Sequence, residues 1–189
     1  CSLKRVAADF AKKEYPKRRS VTKKTGKKKK VAIIGAGPSG LAAGNDLAVM
    51  GHDVTIFEAL PMAGGMLSVG IPPYRLPWNK IDGAVDWVEK LGIKLKLKSP
   101  INTLAKFDKL VEKYDAVYIA AGAHKSMALE IQGEDLKGVV NGIAYMKDIN
   151  LRKQKQVPSR VAVVGGGFTA IDCARSSLRL GAKEVFIIY

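Results

Sequence analysis

Val31-Ala-Ile-Ile-Gly-Ala-Gly-Pro-Ser-Gly-Leu41, continued through Ala42–Met50 and Gly51-His-Asp-Val-Thr-Ile-Phe-Glu58, decides the fold. Val31–Gly35 is an apolar run too short for a helix, and glycines follow it at once. Pro38 to Met50 reads as a helix, with Pro38 in its first turn and Gly51 ending it. Asp53–Phe57 is a second buried strand, closed by an acid at Glu58. In Gly35-x-Gly37-x-x-Gly40 each glycine has a separate task. Gly35 lets the chain turn, Gly37 lets a pyrophosphate approach the backbone, and Gly40 lets the helix lie close to the sheet. The backbone N–H groups around Ser39, Gly40 and Leu41, with the positive end of the helix dipole, then face an anion. Glu58 stands 18 residues past Gly40, where it can accept hydrogen bonds from a ribose and repel a 2′-phosphate. This first site therefore suits FAD or NAD better than NADP.

The same unit recurs. Val161-Ala-Val-Val-Gly165-Gly166-Gly167 leads into a helix over Phe168–Leu180 and a strand over Glu184–Ile188. Its fingerprint is Gly165-x-Gly167-x-x-Ala170, and Tyr189 falls opposite Glu58, so no acid is there to hold a ribose diol. Between the repeats, Ile81, Val85, Val88 and Leu91 mark a helix, residues 93–97 a half-exposed strand, 104–113 a helix and Ala116–Ala121 a strand. Residues 128–140 read as irregular or as short strands, and 141–151 as a helix. Strands alternating with helices predict an α/β fold, a doubly wound Rossmann-like domain followed by the start of a second. The expected division is a leader at 1–30, an incomplete FAD-binding domain at 31–157 and a truncated NAD(P)H-binding domain at 158–189.

Residues 61–77 hold four Pro and three Gly and are expected to be irregular. Gly64-Gly65-Met66-Leu67 adds small residues where a loop can approach a bound pyrophosphate, which favours the extended FAD over NAD.

Composition narrows the function further. The chain has 189 residues, 47% of them hydrophobic, with a formal net charge of +15. Residues 1–30 account for +11 of that charge and the remainder for only +4. The lysines at 23, 24 and 27–30 have no aromatic partner for stacking bases, so they read as a solvated leader before a nucleic-acid site. Leu3, Val6, Ala7 and Phe10 place a short amphipathic helix over residues 2–15, before Pro16. No apolar run is long enough to span a membrane, and residues 1–30 lack a signal-peptide core. Two cysteines exclude a disulfide scaffold, and a reducing cytoplasm is the expected compartment. Cys173 reads as a small buried side chain, Asp172 as a packing or capping residue, and His52 and His124 as solvated loop residues. Asp82, Asp86 and Glu89 read as the exposed face of their helix. No Ser/His/Asp or Cys/His constellation is present.

Residues 31–77, with Tyr114-Asp-Ala-Val-Tyr-Ile-Ala-Ala-Gly122 and the second repeat, closely resemble the flavoprotein module of the glutamate synthase small subunit. Dihydropyrimidine dehydrogenase and bifurcating NADH-dependent ferredoxin:NADP oxidoreductase share this module. The resemblance implies that Gly35, Ala36, Gly37, Pro38, Ser39 and Gly40 hold the FAD pyrophosphate, and that Glu58 and Ala59 lie at its ribose. Gly64, Gly65, Met66 and Leu67 would flank the cofactor, Ile101 would meet the adenine, and Ala121 and Gly122 would close on it. Arg75 resembles an arginine near the flavin and a neighbouring iron–sulfur cluster. Gly165, Gly166, Gly167, Phe168, Thr169 and Ala170 would bind NADP in preference to NAD, although Phe168 departs from the usual polar residue.

The segment Ser2-Leu-Lys-Arg-Val-Ala-Ala-Asp-Phe10 resembles a helix leading from an upstream iron–sulfur domain. The expected function is hydride transfer from NAD(P)H to FAD, then single electrons onward to iron–sulfur clusters or a partner subunit. The alternative is a non-catalytic nucleotide-binding subunit of a larger redox complex. The chain by itself is expected to be inactive.

Overall fold

A computed structural model describes residues 3, 4, 6, 7, 9, 10, 27–153 and 156–189. The elements in order are β1 (Lys30–Ile34), α1 (Pro38–Val49), β2 (Asp53–Phe57), α2 (Met66–Val69), α3 (Trp78–Lys90) and β3 (Lys94–Lys96). Then come α4 (Leu104–Lys113), β4 (Ala116–Ile119), α5 (Gly142–Asn150), β5 (Arg160–Val164), α6 (Phe168–Arg179) and β6 (Glu184–Ile188).

Four strands form one parallel sheet in the order β3-β2-β1-β4. Ala32 lies opposite Thr55 on one side and Val117 on the other, so β1 is central. Its burial explains the unbroken apolar reading of Val31–Ile33, because a parallel strand is covered on both faces. Ile33 and Ile56 are fully buried in a core with Val31, Leu41, Ala48, Val54, Val88 and Ile93. Each of these Val, Leu and Ile side chains stabilises the fold by about 1.5–3 kcal/mol relative to exposure. α1 lies close to this core: a Cβ added at Gly44 would stand 3.1 Å from Ile56 Cδ1.

α1, α3 and α6 stop alike, with the N–H groups of Gly51, Gly92 and Gly181 donating back to the carbonyls of Ala48, Glu89 and Leu178. The next residue along donates to Leu47, Val88 or Ser177, which satisfies a second terminal carbonyl. The sequence-based C-terminal boundaries of these helices therefore hold within a residue or two, while α3 begins at Trp78, three residues before the first apolar position that marked it. Residues 61–77 differ from expectation in one respect. The single turn α2 forms inside them, with Gly70 N–H donating to Met66 O at its end. The strand expected to run to Ala121 stops at Ile119, and residues 128–140 contain no strand.

The second sheet is the parallel pair β5–β6, with Ala162 opposite Phe186. α6 buries Cys173, Ala174 and Ser177, while Val164, Phe186 and Ile188 remain exposed. α5 packs on α6 across the division expected at residues 157 and 158: the Tyr145 hydroxyl is 2.7 Å from Ser177 Oγ, and Met146 is fully buried.

Leu3, Val6 and Phe10 are helical and exposed. Pro16, Lys23 and Lys24 lie outside the described residues. Lys28 and Lys29 are exposed, as expected of solvated charges, and in addition pair with Asp53 at 2.5 Å and Asp115 at 3.1 Å, at the starts of β2 and β4. Asp82, Asp86 and Glu89 are on the exposed face of α3 as expected.

Candidate functional site

All four strands of the first sheet end at the same edge, and the residues that follow them converge there. β1 leads into the turn Gly35–Gly37, whose Gly35 N–H donates to Phe57 O at 2.8 Å. Gly35 has φ +108°, and a Cβ on it would lie 2.3 Å from Ala120 O at the end of β4. A Cβ on Gly40 would lie 1.9 Å from Gly35 O, so α1 rises directly from the turn only because that position has no side chain. No side chain caps α1. By contrast, Thr103 accepts from Lys106 N–H at the start of α4, and Asn141 from Ile143 N–H at the start of α5. The first-turn N–H groups of α1 thus point out of the sheet edge without a side-chain acceptor, and the dipole adds partial positive charge there.

After β2, Glu58 is buried and holds two backbone donors: Ala36 N–H at 2.7 Å through Oε2 and Leu60 N–H at 2.8 Å through Oε1. The expected ribose acceptor therefore also ties the first turn to the end of β2. Each oxygen keeps a lone pair for a further donor. Gly64 N–H donates to Ala36 O at 2.8 Å, bringing the second glycine pair onto the first turn. A Cβ on Gly65 would come 2.9 Å from Gly37 Cα, so two bare backbones face one another. Met66 and Leu67 follow, half-buried, in α2. After β3, Lys98 N–H donates to Leu60 O and Ser99 N–H to Glu58 O, which brings the half-buried Ile101 to the same edge. After β4, Ala121 and Gly122 are exposed. Ala59, Pro38 and Ser39 are exposed as well, so this is an open shelf. A recess of about 220 Å³ elsewhere, lined by Pro61, Ser68, Trp78, Ile81, Asp82 and Leu95, contains none of the fingerprint glycines.

The second turn repeats the first in outline. Gly165 has φ +115° and its N–H donates to Ile188 O at 2.7 Å, while no side chain caps α6. It differs in its walls. A Cβ on Gly167 would meet nothing within 4 Å, and one on Gly166 would lie 3.2 Å from the Tyr189 ring. Thr169 is exposed, Ala170 is half-buried, and Phe168 is 81% exposed at the start of α6. Glu58 has no acidic counterpart here, as expected from Tyr189.

Arg75 is drawn toward this second turn. Its Nη1 lies 2.6 Å from Asp172 Oδ2, and its guanidinium carbon is 5.5 Å from the centroid of the Phe168 ring. Asp172, read from sequence as packing or capping, is instead a buried ion-pair partner. Sequence reasoning also missed Tyr118, whose hydroxyl is 2.9 Å from Ser39 Oγ across the first turn. The alternation of β4 sets Tyr118 on the opposite face from Val117 and Ile119, which was the available signal. Cys173 is buried as expected, and burial pushes its thiol up to about 11. His52 is half-buried and accepts from Lys29 N–H at 3.4 Å, so it is less solvated than expected. Among the described residues no cluster of His, Cys, Asp and Glu could hold a metal ion, and no helix is long and apolar enough to cross a membrane.

The bare cradle at Gly35, Gly37, Gly40 and Gly65, beside the uncapped start of α1, fits an extended dinucleotide diphosphate. Comparison with known proteins agrees with this geometry. The chain is 49% identical over 164 residues to the NADP(+)-dependent formate dehydrogenase subunit beta of Moorella thermoacetica, an alignment covering 85% of this chain and 23% of that protein. It is 37% identical to the glutamate synthase [NADPH] small chain of Bacillus subtilis, over 86% of this chain and 35% of that one. FprA of Mycobacterium tuberculosis, solved in complex with NADPH, superposes with a TM-score of 0.71 at 26% identity, over 85% of this chain and 43% of that one. The chain therefore spans between about a quarter and two fifths of the length of these relatives. Residues 29–189 match the model of the pyridine nucleotide-disulphide oxidoreductases, and the chain belongs to that family.

Proposed function

We propose that this chain is the nucleotide-binding part of a flavoprotein oxidoreductase that accepts reducing equivalents from NADPH and hands electrons to iron–sulfur clusters in an adjoining domain or subunit. The observation that carries this reading is the meeting of Gly37 and Gly65 beside the uncapped start of α1, with Glu58 fastened next to it. Bound there, FAD would supply the chemistry, taking up a hydride as an electron pair and releasing electrons one at a time.

The residues of the chain bind, orient and exclude. Gly35 to Gly40 would form the diphosphate cradle, with the N–H groups of Gly37, Ser39 and Gly40 as its donors because those of Gly35 and Ala36 are given to Phe57 O and Glu58. Glu58 and Ala59 would take the ribose. Gly64 to Leu67 would cover it, and Ile101, Ala121 and Gly122 would border it. Gly165 to Ala170 would receive the reduced pyridine nucleotide, with NADPH favoured because no acid opposes its 2′-phosphate. The names of the relatives support the same preference, since the formate dehydrogenase subunit is NADP(+)-dependent and the glutamate synthase chain uses NADPH. Those relatives are subunits of larger assemblies by name, which supports a partner subunit here; the iron–sulfur nature of that partner and a cytoplasmic setting belong to the proposal.

The test is spectroscopic. The full-length protein is expected to purify with bound FAD whose visible absorbance is bleached by NADPH faster than by NADH. Bound FAD that NADPH fails to bleach would favour a non-catalytic nucleotide-binding subunit. Material that refuses added FAD would overturn the reading altogether.

A further inference from the structure

The loop after α2 and the face of α6 are joined by several contacts, only one of which is an ion pair. Tyr74 lies under Arg175 and Arg179, whose guanidinium carbons are 5.3 Å and 4.2 Å from its ring centroid. Asn150 Nδ2 donates to Ile71 O at 3.1 Å and anchors the same loop to α5. Arg75 adds the bond to Asp172 and the contact with Phe168. Asp172 is 5% exposed at its side chain, and its other oxygen, Oδ1, is buried without a partner. The carboxylate therefore rests on a single charged donor, although a guanidinium can supply two parallel bonds to one carboxylate. A buried charge held this way responds strongly to where its partner stands.

We propose that Arg75 and Asp172 form a positioning pair that sets the second glycine turn against the first. Arg75 belongs to the loop that runs on from Gly64 and Gly65, and Asp172 lies two residues beyond the end of the Gly165–Ala170 fingerprint. The pair thus joins the supports of the two turns at points close to both. This inference rests on the proposed function, in which a hydride must pass between molecules held at the two turns. Such a step needs reacting atoms about 3–3.5 Å apart, and a misplacement of about 1 Å can cost a hundredfold in rate. Because Tyr74 stays against Arg175 and Arg179 of α6, and Asn150 ties the loop to α5, which itself packs on α6, loss of the ion pair alters the angle and leaves the units attached. The pair accordingly governs the rate of flavin reduction and leaves nucleotide affinity nearly unchanged.

The experiment compares full-length wild type with Arg75→Lys, Arg75→Gln, Asp172→Asn and the double variant R75Q/D172N. Bound FAD, the NADP+ dissociation constant, single-turnover reduction by NADPH, and hydrogen exchange of residues 71–77 and 168–172 are measured. FAD content and NADP+ affinity are expected within about twofold of wild type, with reduction slowed on the order of tenfold in R75Q and D172N. The double variant should be no slower than the slower single, R75K should recover most of the rate, and exchange should rise in both segments whichever partner is changed. Multiplying rate effects, exchange rising only in the mutated segment, or NADP+ affinity falling in step with rate would each overturn the pair as a positioning device. If the Gln and Asn variants lose FAD, R75K decides: unchanged exchange at 168–172 overturns the proposal, and raised exchange supports it. If NADPH fails to reduce the wild type, the proposed function fails, while the exchange data still decide whether the pair joins the two segments.

Discussion

Gly37 and Gly65 face each other across the first turn, and a Cβ on Gly65 would stand 2.9 Å from the Gly37 Cα. Gly65 also has φ +56° and ψ −133°, a sparsely populated backbone conformation that costs an L side chain about 1–3 kcal/mol. Gly65→Ala is therefore expected to lower apo stability by about that amount, and to push the covering loop off the shelf where the diphosphate would lie. The check is a denaturant titration of the apoprotein together with the ratio of FAD to polypeptide as purified. Full occupancy in the alanine variant would count against this loop as part of the cofactor cradle.

Glu58→Gln tests the carboxylate that fastens Ala36 to Leu60. The amide keeps one acceptor oxygen but turns an NH2 group toward the other backbone donor, leaving a buried N–H unsatisfied. A loss of about 1–3 kcal/mol is expected, with weaker FAD binding as the turn loosens. Urea midpoints and FAD titration separate the two effects. Glu58→Asp, a methylene shorter, is expected to lose FAD affinity as well.

Acid should act through Asp115, whose carboxyl is held below its ordinary value of 3.8 by the backbone N–H of Lys30 and then by the Lys29 side chain. A depressed folded-state value means that the contribution is fully present above 3.8 and is lost as pH falls through the lower folded value. Asp115→Asn is expected to flatten that part of the acid limb of a thermal-midpoint curve. An acid limb unchanged by the substitution would show that the clasp between β1 and β4 adds nothing.

Alkali should act through Cys173, whose thiol is raised from 9.0 to about 11, chiefly by burial and then by the neighbouring charge of Asp172. The folded state holds its proton where the unfolded chain has lost one, so stability falls as pH rises from 9.0 toward about 11. At neutral pH the thiol should resist iodoacetamide in the native protein and react after unfolding. Peptide mapping distinguishes it from Cys1. Rapid native labelling at Cys173 would contradict the packing of α5 on α6.

Much of the first unit was legible because its signals are local. A buried parallel strand, a glycine that must turn, a proline opening a helix and a glycine closing it all act within a few residues. The repeat at Val161–Ile188 was legible for the same reason. The short turn α2 was not, because four prolines and three glycines in residues 61–77 hide one helical turn fixed by Gly64 and Gly65 folding onto Ala36. Asp172 was misjudged because its partner is 97 residues away and helical periodicity carries no information about that distance.

The order of strands and helices, the two glycine turns and the acid after β2 were written into the chain, since backbone sterics and apolar period depend on near neighbours. The meeting of Gly65 with Gly37, the seating of Tyr118 beside Ser39 and the capture of Arg75 by Asp172 arose from packing. Such contacts depend on how whole elements stack. A charged side chain takes whichever partner the folded chain leaves within reach of its desolvated neighbours.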